Sequence, residues 1–317
     1  MAGVGGGVNK PRPHDTQPSQ NLIEGGAPRC GHAKWWCAFR PPLPRIKFHF
    51  QKRHSLLSVF QAEKGFWFKM IEKIDSSRET IASAYSTIRE QAPWANPGSL
   101  YKHHRVLPFA TLSPWLTDPD FLEIYKAVCD HTLVDVYRCF ELWTLAKQIG
   151  DIDGDILEVG VWRGGTGAIL GHAVSHNVKK KVYLADTFAG VVKVGDNDPV
   201  YKGGEHSDTS LGLVTDFIGS LGLKNVELLQ GIFPDDTQDR VSGKIAMLHC
   251  DVDVYQSSRD IIEWCLPRLV TGGVMVFDDY GFVTCEGVTR CCDELRQSKE
   301  LRFIHNLNGH AIFVKVA

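Results

Sequence analysis

The sequence has almost no net charge: 35 lysines and arginines against 37 aspartates and glutamates leave −2 over 317 residues. That balance lacks the footprint that nucleic acid or an anionic membrane surface would select, so neither is an expected partner and a small molecule is the default. Long apolar runs are also missing, and no stretch is suited to span a bilayer. The chain opens on glycines followed by polar and proline-rich residues, which is not the pattern of a signal peptide; the expected location is the cytoplasm. Nine cysteines are present, but the short ligand spacings of a zinc site are absent. Cys250, Cys265 and Cys292 fall inside apolar patterns, where a reduced thiol behaves as a small hydrophobe, and this fits a reducing compartment.

The length allows one large or two ordinary domains. Residues 1–60 are rich in glycine, proline and irregularly spaced basic residues, and read as a disordered leader. Residues 61–115 read as a helical extension followed by a lid or linker. Phe66, Met70, Ile71, Ile74, Ile81, Tyr85 and Ile88 form a helical stripe that would pack on the domain or on a second subunit, so a homo-oligomer is one expectation. Turn formers such as Asn96-Pro97-Gly98 mark the lid. Beyond residue 116 helices alternate with short apolar strands, as a doubly wound α/β sheet requires, and Asn308-Gly309 closes the chain with an antiparallel hairpin.

Three stretches carry chemistry. The first is Gly272 to Gly281, an apolar run that ends in Asp278-Asp279; the second is Lys244 to Asp251, another run closing on an acid. As parallel neighbours, the two would bring Asp251, Asp278 and Asp279 together at the carboxyl edge of the sheet, where α/β ligands bind. Adjacent carboxylates repel, and a hard divalent cation such as Mg²⁺ relieves that repulsion. The third is Asp155 to Gly167, a strand, a glycine-rich turn and a helix, followed by a second strand ending at Asp186. A glycine turn lets backbone approach a ligand, and an acid at the second strand end suits ribose hydroxyls. His206, in the long polar loop 196–210, is a candidate general base, with Asp251 as the other.

Glu158-Val-Gly-Val-Trp-Arg-Gly-Gly165, Ala185-Asp-Thr-Phe-Ala-Gly190, Gly231-Ile-Phe-Pro-Asp-Asp-Thr237, Asp251-Val-Asp-Val-Tyr-Gln-Ser-Ser258 and Phe277-Asp-Asp-Tyr-Gly281 together resemble the macrocin O-methyltransferase (TylF/MycF) family. The resemblance runs from about Leu116 onward and leaves the first hundred or so residues uncovered. It implies a class I methyltransferase fold, mostly parallel with a reversed last strand. It also implies S-adenosylmethionine and Mg²⁺ as cofactors and a hydroxylated small-molecule acceptor, such as a sugar on a natural product. The expected cofactor set is Thr132, Glu158, Val159, Gly160, Val161, Trp162, Asp186, Thr187, Phe188, Gly190, Gly231 and Ile232; the expected metal set is Asp251, Asp278 and Asp279. The rival readings are a nicotinamide-dependent oxidoreductase, which would more often show a full Gly-x-Gly-x-x-Gly turn, and a non-catalytic scaffold that retains the fold.

Overall fold

The computed structural model describes residues 79–84, 86–88, 90–105 and 112–317. The expected leader and most of the 66–88 stripe lie outside them. Residues 79–84 and 86–88 are helical, and Ile81 is exposed. Residues 90–105 form an irregular strap in which Trp94 and His103 pair through mutual backbone hydrogen bonds. The strap docks on the loop after the fifth strand: Asn96 Nδ2 donates to the Val283 carbonyl at 2.9 Å and to Glu286 Oε1 at 3.1 Å.

The body begins with a 3₁₀ turn, Pro114–Thr117, and helix α1, Pro119–Val128. Asp118 caps α1 by accepting from the Phe121 N–H, and Pro119 supplies a first-turn φ without wasting a donor. Asp135 caps helix α2, Val136–Gln148, by accepting from Tyr137 and Arg138. Strands and helices then alternate: β1 Asp155–Val159, α3 Gly165–Ala173, β2 Val182–Asp186, α4 Leu211–Ser220, β3 Val226–Gln230, β4 Ile245–Cys250, α5 Tyr255–Cys265, β5 Leu269–Phe277 and α6 Glu286–Leu295. The hairpin of β6, Leu301–His305, and β7, Ala311–Lys315, completes one seven-stranded sheet in the order β3-β2-β1-β4-β5-β7-β6. Only β7 runs against its neighbours, so the reversed last strand is wedged between β5 and β6.

Apolar side chains alternate across the strands and feed two cores. Ile156 and Leu184 join α1, α2, α3 and α4 on one face, while Leu157 and Val159 join α5 and α6 on the other. One boundary differs from the sequence reading: β5 starts at Leu269, three residues before Gly272. Gly272 has φ +82° and the pairing of β4 with β5 shifts register there, so the glycines sit in an irregularity inside the strand instead of opening it. Among the described residues no helix is long and apolar enough to cross a membrane.

Candidate active site

One cleft opens over the carboxyl ends of β1, β2, β3, β4 and β5. At its β1 side the chain turns through Gly160, at φ +90°, where an added Cβ would lie 1.7 Å from the Asp251 carbonyl oxygen. Only glycine permits β1 and β4 to close at this point. Asp186, at the end of β2, organises the same corner. Its Oδ2 accepts from the backbone N–H groups of Val161 at 2.6 Å and Trp162 at 3.0 Å, and its Oδ1 accepts from Phe188 at 2.6 Å. These bonds hold Trp162 and Phe188 at positive φ, a conformation that needs such support in bulky residues.

Most of the expected cofactor residues do line this cleft: Thr132, Val159 to Trp162, Asp186, Thr187, Gly190, Gly231 and Ile232. Glu158 and Phe188 do not. Glu158 is fully buried, and its Oε1 pairs with His249 Nδ1 at 2.8 Å, below the cleft floor. Phe188 packs into the core beside the helices. Glu158 points inward because successive strand residues alternate sides, and Phe188 because the turn after β2 takes it to φ +52°, a distinction that a contiguous motif does not reveal.

The acids converge as expected. Asp251, Asp278 and Asp279 each offer an oxygen, and these oxygens lie within 4.8 Å of one another. Asp279 Oδ2 is buried without a hydrogen-bond partner, which is the state of a donor awaiting an electropositive ligand. Burial first, then the charges of Asp278, Asp279 and Asp253, push the Asp251 carboxyl well above its ordinary range; Asp279 is raised by burial and then by Asp253 and Asp278. Asp278 goes the other way. Burial disfavours its charge, but Arg138 and then His310 outweigh that cost and hold it well below the usual carboxylate range. An all-oxygen set of mutually repelling carboxylates fits a hard dication.

A fourth carboxylate, Asp253, was not singled out by the sequence reading. It turns back into the cleft at φ +64°, where Tyr201 donates to its Oδ1 at 2.5 Å. His206 Nε2 stands 4.0 Å from its Oδ2. Burial and the Asp253 charge push the Tyr201 phenol up, so it remains a donor. His206 is placed by a loop that doubles back: Glu205 caps Lys202 and Gly203 with its carboxylate, and its carbonyl accepts from Val191. The remaining wall, Phe282, Thr284 and Cys285, follows β5 and is the stretch clasped by the strap. Arg138 and His310, which grip Asp278, were likewise missed. The first sits inside an amphipathic helix and the second beside a turn, and neither position carries a local mark of function.

The sheet order with β7 reversed, together with a cleft of this composition, defines a class I methyltransferase fold. Residues 127–315 match the family described as macrocin-O-methyltransferase (TylF), and the chain belongs to that family. It is 31% identical over 179 residues to the mycinamicin III 3''-O-methyltransferase of Micromonospora griseorubida, covering 51% of this chain and 70% of the relative. It is 30% identical over 168 residues to the 8-demethyl-8-(2,3-dimethoxy-alpha-L-rhamnosyl)-tetracenomycin-C 4'-O-methyltransferase of Streptomyces olivaceus, covering 49% of this chain and 64% of that relative. Among solved structures, the O-methyltransferase NovP shares the fold with a TM-score of 0.53 at 24% identity, over 59% of this chain and 83% of that one.

Proposed function

We propose that this chain methylates a hydroxyl of a small, sugar-bearing natural product, using S-adenosylmethionine and Mg²⁺. The observation that carries the reading is the convergence of Asp251, Asp278 and Asp279 beside a cleft walled by the ends of β1, β2 and β3. The methyltransferase relatives support the reaction class, and one of their names carries a rhamnosyl group.

In this reading residues 116–317 are the catalytic domain, and the strap of residues 90–105, bonded to Val283 and Glu286 beside the cleft wall, acts as the lid. Val159 to Trp162, Asp186, Thr187, Gly190, Gly231, Ile232 and Thr132 hold the methyl donor, while Glu158 and Phe188 brace that wall from behind. Asp251, Asp278 and Asp279 hold the cation. When bound, the donor supplies an electrophilic methyl group and the cation lowers the pKa of the acceptor hydroxyl. The chain's own residues would orient the acceptor oxygen in line with the donor's sulfur–methyl bond, the bond that would break to release S-adenosylhomocysteine as the oxygen–methyl bond formed.

The hydroxyl proton passes to a carboxylate. Asp253 is better placed for it than Asp251, because Tyr201 and His206 orient Asp253 toward open cleft while Asp251 is committed to the cation. His206 acts through Asp253. The buried thiols of Cys139, Cys250, Cys265, Cys285, Cys291 and Cys292 accord with a reducing, cytoplasmic setting.

Isothermal titration with S-adenosylhomocysteine and with Mg²⁺ tests the reading. The wild type should bind both, and Asp279→Asn should bind the nucleoside but not the cation. A wild type that ignores S-adenosylhomocysteine and is stabilised by NAD would favour the oxidoreductase; one that binds neither would favour a scaffold.

A further inference from the structure

We propose a second cation site beneath the carboxylate cluster, built from His249, Asp278 and His310, that takes a borderline first-row dication such as Zn²⁺. His249 Nε2, Asp278 Oδ1 and His310 Nε2 lie within 4.8 Å of one another, and among the described residues each is buried without an aligned hydrogen-bond partner. His249 is on β4, Asp278 ends β5 and His310 precedes β7, so three neighbouring strands meet there. His310 Nε2 and Asp278 Oδ1 are 2.8 Å apart, yet their alignment is not that of a hydrogen bond. A buried His249 Nε2 without a partner, beside a His310–Asp278 contact that is off hydrogen-bond alignment, is costly unless something occupies the point they face.

The surroundings are those of a ligand set. His249 Nδ1 bonds Glu158 Oε1 at 2.8 Å, and His310 Nδ1 bonds Glu141 Oε2 at 2.6 Å. A carboxylate on Nδ1 fixes the tautomer and aims the Nε2 lone pair at the shared centre, the arrangement that metal-binding histidines ordinarily show. Glu141 is itself held by Asn306 at 2.7 Å and Asn308 at 3.1 Å.

Charge points the same way. Among the described residues, Glu158, Asp278 and Glu141 are met by a single permanent cation, Arg138, which bonds Asp278 through the other carboxylate oxygen. His249 meets the fully buried Glu158 through Nδ1, and a dication on His249 Nε2 would set positive charge beside that carboxylate. Two imidazoles and one carboxylate select Zn²⁺ over Mg²⁺, which prefers oxygen alone. A proton on His310, paired with Asp278, is the alternative occupant of the same lone pair. Such a cation would cross-link β4, β5 and β7 and fix Asp278, the residue shared with the carboxylate cluster.

The test is metal analysis of the full chain purified from zinc-supplemented medium into metal-free buffer, with cobalt-grown protein examined in parallel. The wild type should carry one equivalent of zinc, and its cobalt form should show paramagnetically shifted imidazole N–H resonances. The Asp251→Asn/Asp279→Asn double variant should keep the zinc, His310→Gln should lose it, and Glu141→Gln, which leaves all three ligands in place, should bind it roughly 10- to 100-fold more weakly. Zinc-free wild type, with His310 present as an imidazolium, would overturn the proposal without any variant having to fold. So would zinc that leaves with the Asp251/Asp279 pair, or that survives His310→Gln.

Discussion

Arg138 and Asp278 stand 140 residues apart in the chain and meet as a buried ion pair that ties helix α2 to the end of β5. The Arg138 guanidinium reaches Asp135 at 2.9 Å on its other side and stacks on Phe282 with 5.0 Å to the ring centroid. One side chain thus fixes a helix cap, a strand-end acid and the wall of the cleft. Arg138→Leu leaves Asp278 buried with a weaker set of partners. The expected cost is about 3–5 kcal/mol in urea unfolding, with Asp278→Asn recovering part of it in the double variant. Simple additivity of the two changes would show that the pair is not coupled.

Gly160 is the tightest backbone approach in the site. A methyl group there meets the Asp251 carbonyl at 1.7 Å and must also sit at φ +90°. Gly160→Ala should lose at least about 2 kcal/mol of stability, from strain alone of about 1–3 kcal/mol. It should also weaken Mg²⁺ binding, because relief of the clash moves Asp251. An unchanged melting curve would mean that the strand ends have slack.

Asp279 bears on pH dependence. Burial, then Asp253 and Asp278, raise its folded-state pKa. An unfolded aspartate releases its proton near ~3.9, so this group's contribution to stability is complete below that pH and is lost as pH rises through the higher folded value. With EDTA present, the wild-type unfolding midpoint should therefore fall between about pH 4 and pH 8 more than that of Asp279→Asn. Added Mg²⁺ should raise the wild-type midpoint and leave the variant where it was. Parallel pH curves for the two proteins would contradict the assignment.

Tyr201→Phe removes the donor on Asp253 without touching Asp251, Asp278 or Asp279. A hydrogen bond to a charged group is worth about 1.5–3 kcal/mol, so kcat/KM should drop by about 10- to 100-fold while S-adenosylhomocysteine affinity holds. Steady-state kinetics beside calorimetry separates this from general damage, which would lower both.

The strand-end acids were readable because an apolar run that stops abruptly at a carboxylate is a local signal. Asp251, Asp278 and Asp279 each have that form, and parallel pairing of β4 with β5 does the rest. Asp253 has no such mark, since it enters the cleft only by taking φ +64° after Val252. Glu158 belonged to a legible motif yet faces away, for the strand alternates and its place opposite His249 in the β1–β4 register is a buried one. His310 was hidden behind the Asn308-Gly309 turn, which announces a hairpin and says nothing of what the next residue reaches. The beginning of β5 was misplaced because Gly272 was read as an opening, whereas its positive φ marks an irregularity within a longer strand.

The wedged position of β7 has a temporal side. During synthesis the ribosome releases β5 and β6 before the strand that belongs between them, and neither can find its final neighbour until residues 311–315 emerge. His310 travels with that late segment, so Asp278 must wait for one of its two grips. The helical and parallel half of the sheet can assemble during translation, but the acidic centre is finished only once residues 310–315 are free to pair.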